Sequence, residues 1–345
     1  MRIAFITVGD PSRLTGGYLY HRELFARLRA GGIAVEEIVA APADLPAQLA
    51  AVAAVGRDVD PERYDLLVVD ALARAVCAPW LDQWRLRRPL VAMIHELPSV
   101  AASNPDPAEL AWEAPLLRAD RLITVSDDGA RILQGRGVAL ERIAVVSGGY
   151  DRLTPVRQYK ATAEPIALCV AQWIPRKGLH ELARAWARTV RPGWCLELVG
   201  ETAADPAYAA LVRVALATAP AGSVRIRGRI DDSALAEAYG RAALFVLPSH
   251  YEGYGIAFAE ALAFGLPVVS CAVGPLPSLL GNEAALLVPA GSEADLAGVL
   301  GRLMDDQLLR TRMAAAALRR AADLPTWERC AANFRAALVV AKDRS

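Results

Sequence analysis

Residues 244–267 read LFVLPSHYEGYGIAFAEALAFGLP, and this stretch indicates the fold more clearly than any other part of the chain. The apolar run 244–248 predicts a buried strand, the run 258–264 predicts a helix, and Gly265 and Pro267 end that helix. A glycine-containing loop joins the two. A strand that passes through a loop into a helix is the repeating unit of a parallel sheet.

Two glutamates frame this unit, with Glu252 on the loop and Glu260 inside the helix. Gly253 and Gly255 are expected to supply the backbone freedom that lets amide groups approach a ligand. The helix start offers unpaired N–H groups and a positive dipole end, which favour a phosphate. Glu260 can accept hydrogen bonds from sugar hydroxyls. The alternative interpretation is an ordinary pair of solvated glutamates, and the glycines and the preceding strand argue against it.

Apolar runs alternate with amphipathic helical stretches along the whole chain. The first half has predicted strands at 2–8, 35–39, 66–69, 90–94, 122–125 and 143–146, with helices at 20–31, 46–55, 107–118 and 128–135. The second half has predicted strands at 165–171, 196–200, 224–228, 244–247, 267–270 and 285–288. This pattern predicts an α/β fold with two Rossmann-like, doubly wound domains, which bind ligands at the carboxyl ends of their strands.

The predicted domains cover residues 1–155 and 163–325, because the stretch 151–164 has little apolar periodicity and is interpreted as a linker. A length of 345 residues suits two domains of this size. A last helix is predicted at about 327–342, and we expect it to pack back on the first domain.

Composition excludes several classes of protein. Lys and Arg number 38, as do Asp and Glu, so no overall field favours nucleic acid. The five cysteines form no CxxC pair, which argues against a zinc site and a disulfide framework and favours a reducing compartment. No signal-peptide core or membrane-spanning run is present, and we expect a cytoplasmic protein.

A second motif lies at residues 170–178, VAQWIPRKG, between a predicted strand and the helix 179–190. Arg176 and Lys177 stand beside the helix start, where a guanidinium and an ammonium can hold a diphosphate. A solvated pair of surface cations is the alternative interpretation of these residues.

Together the two motifs resemble the retaining glycosyltransferases of the GT-B fold, and the surrounding residues resemble glycosyltransferase family 4. The first motif is similar to the E-x7-E pattern of that family. In the second motif, Lys177 matches the lysine of the family's Lys-Gly pair. The resemblance implies two Rossmann-like domains facing a cleft, the first binding an acceptor and the second a nucleotide-diphosphate sugar such as a UDP or GDP sugar. It implies transfer of the sugar to an acceptor hydroxyl, without a metal ion and without a cofactor.

The resemblance also implies roles for individual residues. Glu252, Lys177 and His95 would be catalytic. The donor-binding residues would be Gly16, Gly17, Gln172, Arg176, Lys177, Gly228, Arg229, Gly253, Tyr254, Gly255, Ile256 and Glu260. Among these, Glu252 would lie near the reacting sugar carbon and Glu260 against the ribose. The backbone N–H groups of Tyr254, Gly255 and Ile256 would meet the phosphates.

The chain departs from the family pattern at two positions, with Gln172 in place of an arginine and Ser278 in place of a glutamate. These departures keep a non-catalytic sugar-nucleotide binding protein open as an alternative. A sugar-nucleotide epimerase or a phosphorylase of the same fold is a further alternative. A dinucleotide-dependent oxidoreductase is disfavoured because no G-x-G-x-x-G follows the first strand.

Other residues with functional interpretations lie in the first half of the chain. Gly16 and Gly17 follow the first strand, where a plain tight turn is the alternative to a phosphate contact. His95 follows the strand at 90–94, where a structural histidine is equally open. Arg85, Arg87 and Arg88 form a basic cluster for which a solvated face and peripheral contact with an anionic membrane are both open.

Overall fold

The structure is a computed structural model that describes residues 1–13, 15–101, 106–153 and 164–343. Contacts between residues divide the chain into two compact units. The first unit comprises Met1–Gly148 and Pro325–Ser345, and the second comprises Gly149–Leu324. The predicted linker at 151–164 lies mostly outside the described residues.

The first unit is built on a six-stranded sheet. Its strands are β1 Arg2–Thr7, β2 Ala34–Val39, β3 Leu66–Asp70, β4 Leu90–Ile94, β5 Arg121–Thr124 and β6 Ile143–Val145. Its helices are α1 Gly16–Ala30, α2 Leu45–Asp58, α3 Arg74–Arg85, α4 Pro98–Ala101, α5 Pro107–Leu117, α6 Asp127–Gly135 and α14 Trp327–Lys342. All strand pairs are parallel, in the order β2-β1-β3-β4-β5-β6.

The core of the first unit is centred on β3 and β4, which are buried along their whole length. Their residues are apolar except for Asp70 at the end of β3, as expected for central strands of a parallel sheet covered on both faces. The last helix, α14, packs against α1 and contributes the fully buried rings of Trp327 and Phe334. The strand order of the first sheet reverses between β1 and β3, since β2 lies on one side of β1 and the later strands lie on the other. Ligands of doubly wound folds bind at such a switch point.

The second unit repeats this architecture. Its strands are β7 Ile166–Val170, β8 Cys195–Val199, β9 Val224–Gly228, β10 Leu244–Leu247, β11 Val268–Cys271 and β12 Ala285–Val288. Its helices are α7 Leu179–Thr189, α8 Pro206–Leu216, α9 Asp232–Arg241, α10 Ile256–Ala263, α11 Leu276–Ala284, α12 Glu293–Asp305 and α13 Gln307–Ala322. The parallel strands follow the order β12-β11-β10-β7-β8-β9, and the switch point lies between β7 and β10.

The prediction of two doubly wound α/β domains is confirmed. Every predicted strand is present, with ends that differ by at most one residue. The sequence interpretation missed α3, which contains Pro79. A proline inside a helix costs about 3 kcal/mol, and burial of Val76, Leu81 and Trp84 on one face of α3 offsets this cost.

All five cysteines are buried free thiols. Among the described residues, no helix combines the length and the apolar character that a membrane crossing requires.

Candidate functional site

Lys177 and Glu252 lie at the switch point of the second sheet. Lys177 belongs to the 3-10 turn Pro175–Lys177 that follows β7, and Glu252 lies in the loop after β10. After β7 the chain continues to β8, towards one edge of the sheet, and after β10 it continues to β11, towards the opposite edge. The loops that leave these two strands therefore diverge and form a crevice, which is where open α/β sheets bind ligands.

The side chains of these two residues form an ion pair. Lys177 Nζ lies 2.6 Å from Oε1 of Glu252, and Ser249 Oγ donates to the same oxygen at 2.7 Å. Burial alone would raise the pKa of Glu252, but Lys177, Arg176 and the Ser249 hydrogen bond outweigh burial and lower that pKa below its ordinary value. Glu252 is therefore an anion at neutral pH, held against a cation.

The start of α10, which follows the loop that carries Glu252, has no side-chain cap. Four other helices of the second unit, α8, α9, α12 and α13, are capped by Asp205, Asp231, Ser292 and Asp306. Among the described residues, no side chain caps α10, which follows β10, whereas the hydroxyl of Tyr208 accepts from the N–H of His180 in the first turn of α7 at 3.1 Å. The first N–H groups of α10 and its positive dipole end can therefore receive an anion.

Gly178 fixes Lys177 at the start of α7. Its backbone is left-handed, with φ of +66°, and an added Cβ would lie 2.1 Å from the carbonyl oxygen of Pro248. The N–H of His250 donates to the carbonyl oxygen of Arg176 at 2.8 Å. The turn after β7 and the loop after β10 are thus joined backbone to backbone, which positions the ion pair.

The predicted roles of the two loop glycines need one correction. Gly255 has a left-handed backbone, with φ of +104°, and it is the N-cap residue of α10, which begins at Ile256. Gly253 is not among the glycines with positive φ, so the expected freedom of backbone conformation is used at Gly255 alone. An added Cβ at Gly255 would lie 2.9 Å from the ring of Phe258, which belongs to the first turn of α10. Tyr254 is half-buried between the two glycines.

Glu260 has a partner that the sequence interpretation missed. Arg152 Nε lies 2.8 Å from Glu260 Oε1, and the same guanidinium also bonds to Asp232. Burial raises the pKa of Glu260 above its ordinary value, and the charge of Arg152 opposes this rise. Arg152 was missed because it lies in the stretch interpreted as a linker.

The remaining predicted donor residues lie at neighbouring strand ends. Gln172 Nε2 donates to Oε2 of Glu201 at 2.7 Å, so a neutral amide bonded to a carboxylate stands where the family has an arginine. Gly228 ends β9 with φ of +64°, and its carbonyl oxygen accepts from the N–H of Gly200. Arg229 is exposed.

In the first unit, Gly16 and Gly17 are the first two residues of α1, which starts four residues earlier than predicted because Thr15 caps it. The glycine pair therefore belongs to the helix and not to the turn before it. An added Cβ at Gly17 would lie 3.9 Å from the ring of His95. His95 follows β4 and contacts His21 of α1 through their Nε2 atoms, at 2.8 Å.

Arg85, Arg87 and Arg88 surround Leu86, whose exposure of 86% is the highest among the exposed large apolar residues of the described chain. Arg85 pairs with Asp120 and Arg88 with Glu62. Membrane contact through this cluster stays a prediction. Among the described residues, no group of three or more His, Cys, Asp or Glu side chains could hold a metal ion.

Two family models match the chain. The model described as "Glycosyl transferases group 1" matches residues 154–320, and "Glycosyltransferase Family 4" matches residues 13–152. A D-inositol 3-phosphate glycosyltransferase of Nocardia farcinica is 30% identical over 85% of this chain and 72% of its own length. An MMP alpha-(1->4)-mannosyltransferase of Mycolicibacterium hassiacum is 30% identical over 71% of this chain and 64% of its own length.

Solved structures resemble the whole chain. A sucrose-phosphate synthase from Thermosynechococcus elongatus has a TM-score of 0.81 at 25% identity and covers 100% of both chains. HepE of Anabaena, solved with UDP and glucose, has a TM-score of 0.79 at 20% identity and covers 99% of this chain and 100% of its own. The chain therefore has the GT-B fold and belongs to the group 1 (family 4) glycosyltransferases.

Proposed function

We propose that the chain transfers a sugar from a nucleotide-diphosphate sugar to an acceptor hydroxyl, with retention of configuration at the anomeric carbon. The ion pair of Lys177 and Glu252 at the switch point carries this proposal, because it lies beside the uncapped start of α10. A diphosphate needs such cations and N–H groups, and a departing sugar needs a nearby anion.

In this proposal the donor diphosphate competes for Lys177. Without donor, Glu252 holds the ammonium at 2.6 Å. A diphosphate is a stronger partner for Lys177 and Arg176, and Glu252 is then left as an anion beside the donor sugar. An anion stabilises the positive charge that develops at the anomeric carbon as the bond to phosphate breaks. The leaving phosphate takes the proton of the acceptor hydroxyl on the same face of the sugar, and we assign no protein base.

The similar proteins indicate which donor nucleotide and which acceptor to test first. HepE of Anabaena has been solved with UDP and with UDP-glucose, which supports UDP as the first nucleotide for this chain. Several relatives are named D-inositol 3-phosphate glycosyltransferases, which makes a phosphorylated polyol the first acceptor to test. We further propose that no metal ion or cofactor takes part. The cytoplasmic location stays a prediction.

Isothermal titration calorimetry of UDP, GDP and ADP, followed by a transfer assay, tests the proposal. We expect Glu260→Gln to weaken binding of the preferred nucleotide by about 1.5–3 kcal/mol, the range of a hydrogen bond to a charged group. Glu252→Gln should leave that binding nearly unchanged and should lower turnover instead. Retention is read from the anomeric configuration of the product by NMR.

Two results would contradict the proposal. Nucleotide binding without turnover for any donor and acceptor would favour the non-catalytic binding protein, which the Gln172–Glu201 bond in place of an arginine also fits. Loss of nucleotide affinity in the Glu252 variant alone would show that the roles of the two glutamates are reversed.

A further inference from the structure

A row of polar side chains in mutual contact begins at the switch point of the first sheet. Thr7 ends β1 and Asp70 ends β3, and Thr7 Oγ1 donates to Asp70 Oδ2 at 2.9 Å. The other carboxylate oxygen of Asp70 accepts from the N–H of Leu72 at 3.0 Å. Oδ2 also lies 3.7 Å from Nε2 of His21, which lies in turn 2.8 Å from Nε2 of His95. This row of side chains leads from the fully buried carboxylate of Asp70 to His95, which is only partly buried.

The contact between the two histidines requires one proton between them. Two bare nitrogens at 2.8 Å would repel each other, and two N–H groups would collide. Burial lowers the pKa of His95 to about 4 and that of His21 well below its ordinary value, so both rings are neutral at pH 7. Burial also raises the pKa of Asp70, to about 6, and Asp70 is therefore mostly an anion at pH 7.

Two arrangements satisfy the contact, and they differ in which ring donates. If His95 donated, the proton of His21 would sit on its Nδ1, which is buried and has no hydrogen-bond partner among the described residues. The bare Nε2 of His21 would then face the carboxylate of Asp70. A buried N–H without an acceptor costs about 1–3 kcal/mol, and the lone pair beside an anion adds to this cost.

If His21 donates instead, both problems disappear. The proton on Nε2 of His21 then faces both His95 and the Asp70 carboxylate, and the unpartnered Nδ1 atom is a bare nitrogen. His95 must then carry its own proton on Nδ1. That atom makes no hydrogen bond within the described part of the chain and is not among the buried unpartnered atoms, so it keeps some exposure and its N–H is available to a ligand oxygen.

We infer that His21 is a positioning residue that holds His95 as the neutral Nδ1–H tautomer, so that His95 donates a hydrogen bond to a substrate oxygen and does not act as a base. The acceptor of that bond is a sugar hydroxyl or a phosphate oxygen, since both are oxygen acceptors. This inference rests on the proposed function in one respect, that His95 contacts a substrate of glycosyl transfer.

Long-range ¹H–¹⁵N NMR of histidine-labelled protein tests the tautomer without any substrate. The chain has only four histidines, His21, His95, His180 and His250, and single variants assign them. We expect His21 to carry its proton on Nε2 and His95 on Nδ1. A proton on Nε2 of His95 in the unsubstituted protein would overturn the inference, whatever the enzyme activity.

Two substitutions at His21 separate the hydrogen bond from packing. The ring of His21 lies between Phe5 and Phe25, at centroid distances of 4.5 and 5.5 Å, so His21→Phe suits its surroundings and should fold. This variant removes the donor, and His95 should shift to the Nε2–H form. His21→Gln keeps an N–H donor near the position of Nε2 and should restore the Nδ1–H form.

Turnover should follow the tautomer. We expect His21→Phe to lower kcat by about tenfold to hundredfold, by analogy with the loss seen when the outer hydrogen-bond partner of a metal-ligating histidine is removed, with the nucleotide Kd unchanged. His21→Gln should recover most of this loss. Phe25→Leu, which loosens the packing but keeps the Nε2 contact, is the control and should retain both kcat and the tautomer.

The inference fails if His21→Phe keeps the Nδ1–H form of His95 or full turnover, or if Phe25→Leu loses as much turnover as His21→Phe. Failure of the proposed function looks different. In that case the NMR spectra show the expected tautomers, but no donor and acceptor pair gives transfer.

Discussion

The guanidinium of Arg152 binds the carboxylate of Glu260 deep in the second unit, with side-chain exposures of 6% and 3%. Glu260 is the residue proposed to accept hydrogen bonds from the ribose hydroxyls of the nucleotide. Arg152 therefore fixes the orientation and the charge of a binding residue before any nucleotide arrives. A buried ion pair of this kind is costly to break from one side, because the remaining charge loses its partner.

Replacing Arg152 with Gln should destabilise the protein by about 3 kcal/mol and weaken nucleotide binding. The variant raises the pKa of Glu260 further, because the opposing charge is gone. A raised pKa in the folded state means that stability falls as pH rises, so the loss of Tm relative to the unsubstituted protein should be larger at pH 8 than at pH 5. Thermal unfolding at both pH values measures this.

Arg225→Gln is the matched control for that experiment. Arg225 pairs with Glu164 at the surface, where the two side chains are 44% and 37% exposed. Exposed pairs contribute about 0–1 kcal/mol, so this variant should change Tm little at either pH. An equal loss of Tm in both variants, or a loss in Arg152→Gln that is independent of pH, would contradict the role given to Arg152.

Removing the ammonium of Lys177 should lower turnover by about two to three powers of ten with Lys177→Ala, the range for one preorganised charge contact in a transition state. Lys342→Ala removes a lysine that pairs with Asp65 at the surface of the first unit, and it should keep full turnover. Steady-state kinetics of both variants decide the matter. Near-full activity in Lys177→Ala would refute the donor-site assignment.

Gly178→Ala should destabilise the second unit by several kcal/mol more than Gly193→Ala. Both glycines are left-handed, with φ of +66° and +82°, so each substitution incurs a backbone cost of about 1 kcal/mol. Only Gly178 faces a backbone oxygen, that of Pro248, at 2.1 Å, whereas the space around Gly193 is open. Chemical denaturation of the two variants measures the difference. Equal losses would mean that the contact between the two loops relaxes freely.

Excess EDTA should leave transfer activity intact, because Arg176, Lys177 and the uncapped start of α10 supply the positive charge that the diphosphate needs. The assay compares initial rates with and without chelator. Loss of activity that magnesium or manganese restores would contradict metal-independent transfer.

The sequence predicted the strands well because buried parallel strands are unbroken apolar runs, as in β4 and in β3 up to Asp70. It also indicated Lys177 and Glu252 as candidate site residues, because each lies where a predicted strand passes into a helix and each belongs to a motif that resembles the family pattern. It did not predict their contact at 2.6 Å, since that contact depends on β10 pairing with β7, and the order of strands in the sheet differs from their order in the chain.

His21 shows why other parts of the site escaped prediction. It lies in a predicted helix, at the spacing of the buried residues Leu24, Phe25 and Leu28. An imidazole at a core position of a helix was the available signal. Its meaning depends on Asp70 and His95, which are 49 and 74 residues away (70 minus 21, and 95 minus 21) and meet it only through the parallel pairing of β1, β3 and β4.

The docking of α14 against α1 has a consequence for synthesis of the chain. A ribosome releases all of residues 149–324 before it releases α14, so the second unit has its whole sequence at hand while the first still lacks a helix. Until then the surface that will receive Trp327, Phe334 and Leu338, all fully buried in the finished protein, is open to water and to other chains. The part of the protein made first is therefore the part completed last.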